Sequence, residues 1–333
     1  MHTSTRLVSL TLAGVLAALL VSACAPLSHT ARQGQAPLIT VADRDLPQPL
    51  TFIAYGDMRF TPTTETRASS PTVRQALVAR IAQEKPAALL LSGDLPYHGG
   101  QAADYAVFTG ETRAWSEQGL RVYPALGNHE FAQCAEEQCL ENWWSAFPAL
   151  RGHRWYSAGL GSQVLAIALD SDTSLQTGSP QRQWLEREIS LLPKSVRFVM
   201  ISLHHPPVAD LATGSLASHN PRPNEIALAD YLGSVASTSR ARFIVVAGHT
   251  HNYERFEKNA VVYLVSGGGG ASPYAVERGP EDLYRGKDEI NYHYLRFTLT
   301  GKRLKGEMVR VEDPEAPVPR AFAVRDTFEV LAR

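Results

Sequence analysis

Short apolar runs recur along the chain between residues 50 and 270, and each run is too short to form a helix. Most of them are rich in β-branched or aromatic residues, a composition that favours buried strands. Polar, helix-like segments separate them. We therefore predict strands at LTFIAY (50–55), AALLLS (87–92), RVYPAL (121–126), QVLAIAL (163–169), VRFVMISL (196–203), ARFIVVA (241–247) and AVVYLVS (260–266).

Two of the intervening segments carry clear helix-start signals. Residues 69–85 and 179–192 each begin with serine followed by proline, which suits a helix cap and first turn. Strands and helices in alternation predict an α/β sandwich with helices covering the sheet faces. Near the C-terminus, residues 292–311 indicate a hairpin that turns at Thr300-Gly301-Lys302, and residues 326–332 indicate a last strand.

Composition places the chain among ordinary globular proteins. It has 333 residues, of which 44% are hydrophobic and 20% are charged, and its formal net charge is -1. This composition excludes a mostly disordered chain. A near-neutral chain also gives no electrostatic case for a nucleic-acid partner, which would require a basic face. We expect one large domain over residues 50–333.

The N-terminus has the pattern of an export signal, with Arg6, an apolar run of about 16 residues and small residues around Cys24. A membrane-spanning helix is the alternative, although such a helix needs roughly 20 apolar residues. The segment Val-Ser-Ala-Cys24 resembles the lipobox of bacterial lipoproteins. We expect a signal peptide over residues 1–23, a lipid anchor at Cys24 and a flexible tether over residues 24–49. The protein would then lie in the bacterial cell envelope, facing the periplasm or the cell surface.

Two cysteines remain in the segment CAEEQC, Cys134 and Cys139. An oxidising envelope favours a disulfide between them. A soft metal pair is the alternative, but no second pair of cysteines or histidines stands nearby to complete such a site.

Polar residues with metal-binding side chains follow five of the predicted strands. At the carboxyl ends of strands in open α/β sheets, loops converge and ligand sites form. Carboxylate, amide and imidazole groups gathered there supply the oxygen and nitrogen ligands that first-row transition metals prefer. These residues are Asp57, Asp94, Asn128 with His129, His204 with His205, and His249 with His251.

Any one of these residues has an ordinary structural explanation. A lone aspartate after a strand is most often a turn former or a helix cap, and a lone histidine is most often a satisfied polar residue. The repetition carries the prediction, because a glycine precedes the key residue in four of the five clusters. Glycine is expected where the backbone must approach another group closely.

The motifs GDMR (56–59), GDLPY (93–97), GNHE (127–130), His204 and GHTHNYER (248–255) together resemble those of the calcineurin-like metallophosphoesterases. They are most similar to the purple acid phosphatase branch, and the resemblance covers roughly residues 50 to 270. It implies an α/β fold built as a four-layer α-β-β-α sandwich with two mixed sheets. It also implies a dimetal site at the carboxyl ends of the strands.

The resemblance implies a ligand set for each of two metal ions. The wider superfamily carries Asp-x-His in its first motif, but Arg59 stands at that histidine position, and an arginine cannot bind a cation. By resemblance Tyr97 fills the gap, and its phenolate favours Fe(III), with Fe(II), Zn(II) or Mn(II) at the second position. The alternative for Tyr97 is a packing role beside Pro96. The implied ligands are Asp57, Asp94, Tyr97 and His251 for the first metal, and Asp94, Asn128, His204 and His249 for the second.

The resemblance further implies hydrolysis of phosphate monoesters through a metal-bound hydroxide, with Asp94 bridging the metals. His129 would stabilise the transferring group or protonate the leaving oxygen. His205 is either a hydrogen-bond partner behind a ligand or a rim residue, and Arg59 either contacts a phosphate oxygen or forms a structural ion pair. Two other functions remain open. One is a phosphodiesterase acting on cyclic nucleotides, nucleotides or lipid head groups, and the other is a non-catalytic surface lipoprotein with a vestigial site.

Overall fold

Thirteen strands and six α-helices form the described part of the chain, which comprises residues 2, 38–286, 291–316 and 321–333 of a computed structural model. The strands are β1 Ile39–Val41, β2 Leu50–Tyr55, β3 Ala88–Leu91, β4 Arg121–Pro124, β5 Tyr156–Leu160, β6 Val164–Ala168, β7 Phe198–Leu203, β8 Arg242–Ala247, β9 Tyr253–Lys258, β10 Val261–Ser266, β11 His293–Thr300, β12 Arg303–Val311 and β13 Phe322–Leu331. The helices are α1 Pro71–Glu84, α2 Ala102–Glu111, α3 Arg113–Glu117, α4 Glu136–Ala146, α5 Pro180–Ser190 and α6 Pro223–Ala236.

The strands form two mixed sheets. The seven-stranded sheet has the order β1-β5-β6-β7-β8-β10-β9, and β7 runs parallel to both β6 and β8. The six-stranded sheet has the order β13-β12-β11-β2-β3-β4, with β2, β3 and β4 parallel and β11 to β13 antiparallel. Both sheets therefore bring the carboxyl ends of several parallel strands to an edge where loops can meet.

Side chains that alternate along the strands divide the core into three parts. In β2, Phe52 lies in a cluster shared by both sheets, while Ile53 lies in a cluster with helix α1. This alternation is the period of two expected for a strand. On the other side, helices α5 and α6 pack on the seven-stranded sheet through residues such as Leu185 and Leu228. The layers are thus helix, sheet, sheet and helix, and the fold class expected from the sequence is confirmed.

All seven predicted strands and both predicted helices are present, with ends shifted by a few residues. The C-terminal hairpin also forms as predicted, and Gly301 in its turn has a φ of 59°. The last strand starts four residues earlier than predicted, at Phe322. Strands β5 and β9 were not predicted.

The predicted tether is wrong over its last part. Ile39–Val41 forms strand β1, which pairs in parallel with β5 at the edge of the seven-stranded sheet. Val41 and Leu46 are buried in the core between the sheets, so burial of apolar side chains holds this segment.

The predicted signal peptide over residues 1–23 and the anchor at Cys24 lie outside the described residues, apart from residue 2. The described residues from 38 onward belong to one compact unit.

Two further features bear on the sequence predictions. Cys134 and Cys139 form a disulfide at the start of helix α4, with their Cα atoms 5.7 Å apart. Among the described residues, no helix combines the length and the apolar character that crossing a membrane requires.

Candidate metal centre

Five loops at the carboxyl ends of strands build the site. Asp57, Asp94 and Asn128 follow the parallel strands β2, β3 and β4 of one sheet, while His204 and His249 follow the parallel strands β7 and β8 of the other. The strands that each sheet contributes are neighbours, so the loops that follow them begin at adjacent positions. The site therefore lies where the carboxyl-end edges of the two sheets meet.

Three buried side chains form the centre of the site. One ligand atom from each of Asp57, Asp94 and His204 lies within 4.8 Å of the others, and all three residues are buried. The His204 Nε2 atom lies 3.2 Å from Asp94 Oδ1 and 3.0 Å from Asn128 Oδ1. The Nδ1 atom of His249 lies 3.1 Å from the same Asn128 oxygen. The structure thus brings together oxygen and nitrogen donors from all five predicted ligand loops.

Asp57 links the remaining histidine to this centre. Its Oδ2 atom accepts the backbone N–H of His249 at 2.9 Å, and its Oδ1 atom lies 3.4 Å from His251 Nε2. Neither Asp57 Oδ1 nor His251 Nε2 has a hydrogen-bond partner in the described part of the chain, although both atoms are buried. Buried polar atoms without partners are costly, and a bound cation would satisfy both. These residues therefore fit a metal ion.

The tautomers of two histidines support this fit. The Nδ1 atom of His204 lies 2.9 Å from the Ser92 carbonyl oxygen, and the Nδ1 atom of His251 lies 2.9 Å from the Ser272 carbonyl oxygen. A carbonyl oxygen can only accept, so Nδ1 carries the proton in each ring. In the neutral ring the lone pair of each Nε2 atom then faces the site, as in histidines that bind metals. Burial lowers the pKa of His204, but the charges of Asp94 and Asp57 outweigh it and raise this pKa, so a metal ion has to displace the Nε2 proton of His204.

The site imposes unusual backbone conformations. Asp57, Asp94 and His249 have φ values of 63°, 55° and 68°, in the left-handed region that non-glycine residues rarely adopt. Such strain is typical of functional sites, where surrounding contacts hold it in place. At Gly248, a Cβ atom would lie 2.4 Å from Asp57 Oδ2, and at Gly127 one would lie 2.6 Å from Asp94 Oδ1. The glycines predicted from close approach are therefore required by the carboxylates beside them.

Charges within the site set the protonation states that ligands need. Burial raises the pKa of Asp94, but the charges of His204, His129 and Arg59 outweigh it and hold this pKa well below its usual range. Burial together with the charge of His204 lowers the pKa of His249 to about 3. The carboxylate is therefore ionised and this imidazole is neutral at neutral pH. Metal binding requires these forms.

Glu130 is a site residue to which sequence reasoning assigned no role. Its Oε2 atom accepts the backbone N–H groups of Asp94 at 3.0 Å and Gly127 at 2.7 Å, and its Oε1 atom accepts that of Leu95 at 2.8 Å. Burial and the charge of Asp94 raise the pKa of Glu130 to about 8. This side chain ties the Asp94 loop to the Asn128 loop. Glu130 is the last residue of the GNHE motif, and its place in that motif is the sequence feature that could have identified it.

His129 lies against the predicted bridging aspartate. Its backbone N–H donates to Asp94 Oδ1 at 2.9 Å, and its Nε2 atom lies 3.8 Å from Asp94 Oδ2. Its Nδ1 atom lies 2.6 Å from the Tyr97 carbonyl oxygen and therefore carries a proton. Burial lowers the pKa of His129.

Tyr97 lies beside the cluster with its ring stacked on that of His129, the centroids being 5.4 Å apart. A second ring contact joins it to His98 at 4.0 Å. Within the described part of the chain, its hydroxyl forms no hydrogen bond with Asp57 or Asp94, so its role as a metal ligand stays a prediction.

The two predicted substrate residues both lie next to predicted ligands. Arg59 Nη2 is 3.3 Å from Asp94 Oδ2. The His205 ring lies 4.2 Å from that of His249, and its Nδ1 atom lies 2.8 Å from Ser171 Oγ.

Two further residues at the site were not predicted. His219, from a short 3-10 helix over Gly214–His219, places its ring 4.7 Å from that of His249. Tyr274 donates its hydroxyl to the His249 carbonyl at 3.1 Å, and its ring lies 5.2 Å from that of His251. Neither residue directly follows a strand, so the pattern that led to the predicted ligands does not extend to them.

A model of the calcineurin-like phosphoesterase family matches residues 51–253, which is more than half of the chain. The chain belongs to this family. Phosphoesterases, after which the family is named, hydrolyse phosphate esters. No curated protein matches this chain in sequence.

Solved structures with the same fold come from distant proteins. The purple acid phosphatase PPD1 from yellow lupin (Lupinus luteus) seeds is 18% identical, with a TM-score of 0.67 over 84% of this chain and 53% of the lupin chain. This chain therefore spans about half the length of that protein. A dimetal phosphatase from Danio rerio is 15% identical, with a TM-score of 0.56 over 84% of this chain and 99% of the other. GAP50 of Plasmodium, the anchor in the inner membrane complex, is 14% identical, with a TM-score of 0.55 over 85% of this chain and 89% of the other. At these identities the likeness concerns the fold.

Proposed function

We propose that this protein hydrolyses phosphate monoesters with two metal ions that share Asp94. The observation that carries the proposal is the convergence of Asp57, Asp94 and His204 within 4.8 Å, in a family whose members hydrolyse phosphate esters. Asp94 is near members of both proposed ligand sets, because its Oδ1 atom is 3.2 Å from His204 Nε2 and it shares the buried cluster with Asp57.

Two sets of side chains would hold the ions. We assign Fe(III) to the set that includes Tyr97, because a phenolate is a hard anionic donor, and Fe(II), Zn(II) or Mn(II) to the other. When bound, such a pair lowers the pKa of water and stabilises charge on the phosphoryl oxygens. The first set is Asp57, Asp94, Tyr97 and His251, and the second is Asp94, Asn128, His204 and His249.

His129 is the proposed catalytic residue of this chain apart from the ligands. Its Nδ1 proton is held by the Tyr97 carbonyl, so Nε2 is the atom that would take up a second proton and pass it to the leaving oxygen. Burial lowers the pKa of His129, so this protonated form is favoured at acidic pH. The backbone N–H bond to Asp94 holds the ring next to the site. A positioned acid of this kind contributes typically 10²–10⁴-fold to the rate.

A direct assay of the purified full chain tests the proposal. We expect about two metal ions per chain and hydrolysis of an activated aryl phosphate. The matched comparison is a bis-aryl phosphate diester, measured on the same preparation. Faster turnover of the diester would indicate a phosphodiesterase, and a protein with neither metal nor activity would indicate a binding role.

We also propose that the chain is a lipoprotein of the bacterial envelope, facing the periplasm or the cell surface and anchored through Cys24. The support is the lipobox-like pattern that ends at this cysteine, since two acyl chains suffice for stable anchoring. Replacement Cys24→Ser should move the protein from the membrane fraction to the soluble fraction after cell lysis. Incorporation of labelled fatty acid by the wild-type chain alone would support the same assignment.

A further inference from the structure

Arg74 of helix α1 is fully buried and uses every N–H of its guanidinium group within the fold. Nε and Nη2 donate to the two carboxylate oxygens of Glu111, at 2.9 and 2.7 Å. Nη1 donates to the Arg59 carbonyl at 3.0 Å and to Ser69 Oγ at 2.7 Å, and Nη2 donates to the Thr61 carbonyl at 3.2 Å. An arginine has five N–H donors, so Arg74 has none left for a ligand.

The backbone of Arg59 is held from three sides. Its N–H donates to the Asp94 carbonyl at 2.9 Å, and its own carbonyl accepts from Arg74 and, at 3.2 Å, from Ser69 Oγ. Its φ of 47° lies in the left-handed region. A non-glycine residue keeps such a conformation only where its surroundings impose it. Arg74 and Ser69 therefore determine the direction in which the Arg59 side chain leaves the backbone.

The guanidinium group of Arg59, unlike that of Arg74, does not use all its N–H donors within the described part of the fold. In the described part of the chain, the Arg59 side chain forms one hydrogen bond, from Nη2 to Asp94 Oδ2 at 3.3 Å, longer than a good charge-assisted hydrogen bond. Its Nε atom is buried and has no hydrogen-bond partner in the described part of the chain. The side chain is 17% exposed, so an incoming anion can reach it. A guanidinium with free donors beside the proposed metal ligands has the properties of an anion-binding group.

The position of His129 indicates where such an anion would bind. Its Nε2 atom is 3.8 Å from Asp94 Oδ2, the same oxygen that Arg59 contacts. The arginine and the proposed proton-exchanging histidine thus flank one carboxylate oxygen. A phosphoryl group bound next to Asp94 would meet both.

We propose that Arg59 binds the terminal oxygens of a phosphate monoester, and that Arg74, supported by Glu111, is the positioning residue that aims it. The inference rests on the proposed function, because it requires a phosphoryl group beside Asp94. A monoester dianion offers three terminal oxygens and two charges to the planar guanidinium fork. A diester offers two such oxygens and one charge, so Arg59 favours monoesters.

Replacement Arg59→Met tests the binding role in the metal-loaded full chain. We expect the dissociation constant of inorganic phosphate, measured by calorimetry, to rise about 10- to 100-fold, as for loss of hydrogen bonds to a charged group. The kcat/KM for an aryl monoester should fall about tenfold more than that for a bis-aryl diester, while metal content stays at the wild-type level. Arg59→Lys should recover part of the phosphate affinity. Arg44→Met, at a side chain that is 87% exposed, is the matched control and should change nothing.

Replacement Arg74→Lys tests the positioning role, because a lysine keeps the charge but not the five donors. It should raise KM for the monoester more than it lowers kcat, with metal content unchanged. Ser69→Ala removes the second donor to the Arg59 carbonyl and should shift KM in the same direction by a smaller factor. If Arg74→Lys does not fold, the effect of Ser69→Ala on KM still tests the positioning role.

The outcomes separate the inference from the proposed function. A wild-type protein without metal or hydrolysis overturns the proposed function. An active wild type whose Arg59→Met variant keeps its phosphate affinity overturns the role of Arg59 alone. Loss of phosphate affinity in Arg59→Met with unchanged KM in both Arg74→Lys and Ser69→Ala overturns the positioning role and leaves the binding role in place.

Discussion

The Asp57 carboxylate accepts the backbone N–H of His249 at 2.9 Å, although 192 positions separate the two residues. Asp57 follows β2 of one sheet and His249 follows β8 of the other, and these two strands contact each other. The site therefore depends on how the two sheets pack as well as on the loops that carry its side chains. Changes at the carboxylates and at the glycines beside them should act on metal binding first.

Asp94→Asn should abolish metal binding and activity together. An amide keeps the shape of the side chain but removes the negative charge that both proposed ions share. We expect bound metal to fall from about two ions to less than one per chain, and aryl phosphate hydrolysis to fall at least about 100-fold. Elemental analysis and a steady-state assay on the same sample check this. Asp45→Asn, at an exposed aspartate, is the control, and wild-type metal content in the Asp94 variant would contradict the shared role.

Gly248→Ala should reduce metal content without a change at any ligand. The added Cβ would lie 2.4 Å from Asp57 Oδ2 and 3.1 Å from the Ser92 carbonyl, so the carboxylate has to move. Gly110→Ala is the matched control, because no atom of the described residues lies within 4 Å of a Cβ at that position in helix α2. The control should bind metal normally and gain up to about 1 kcal/mol of stability. Equal metal content in the two variants would show that the close approach at Gly248 does not matter.

Tyr97→Phe should remove a visible absorption band. If Tyr97 binds a ferric ion, the wild-type protein has a tyrosinate-to-iron charge-transfer band that phenylalanine cannot produce. Tyr274→Phe serves as the control, since Tyr274 lies against His251 but its hydroxyl donates to the His249 carbonyl. We expect the band to survive in Tyr274→Phe. A spectrum unchanged by Tyr97→Phe would exclude Tyr97 as the ligand.

The part of the site that could be predicted from sequence is the part attached to buried strands. Asp57 and Asp94 directly follow apolar runs, so a strand pattern and a side-chain type together locate them. His219 comes from a 3-10 turn with no apolar run before it, and its position depends on how a long loop folds back over His249. A local pattern carries no information about that path.

Two other features could not be predicted from the sequence for similar physical reasons. Strand β1 is three residues long and pairs at a sheet edge, so its alternation is too short to distinguish it from a tether. Arg74 lies inside a segment correctly predicted as a helix, where an arginine is normally exposed. Its burial follows from the pairing with Glu111 on a different helix, which only the tertiary structure brings close.

Loss of the disulfide should weaken the fold by a modest amount. Cys134 and Cys139 are five positions apart, and closing so short a loop restricts the unfolded chain by about 2 kcal/mol in the chain-entropy model. We expect Cys134→Ser and Cys139→Ser each to lower the free energy of unfolding by about this amount in urea titrations. The wild type should lose the same amount when a reducing agent is added, whereas the variants should not respond. A wild-type chain that also fails to respond would show that the bridge adds no stability.

Glu254 lies on strand β9, just after the loop that carries His249 and His251, and is fully buried. Its Oε2 atom accepts the backbone N–H of Asp210 at 2.6 Å, while its Oε1 atom has no hydrogen-bond partner in the described part of the chain. Burial raises the pKa of Glu254 to about 8, and the nearby charges of Asp210 and Asp282 add to the rise, against the charge of Arg278. The folded protein therefore holds this carboxyl group in its neutral form at neutral pH.

This raised pKa predicts a loss of stability with rising pH. The folded pKa of Glu254 lies above the ordinary value of 4.5, so protonation of this group favours the folded state. Its contribution to the free energy of unfolding is therefore complete below about pH 4.5 and disappears as the pH approaches about 8. Within that range, the free energy of unfolding should fall by no more than about 1.4 kcal/mol per pH unit on account of this group. Urea titrations at several pH values, with the same metal loading, measure the slope. Glu254→Gln should flatten it, and Glu257→Gln, at an exposed glutamate on the same strand, should leave it unchanged. If Glu254→Gln and wild type keep the same slope between pH 5 and 8, this carboxyl group does not cause the pH dependence of stability.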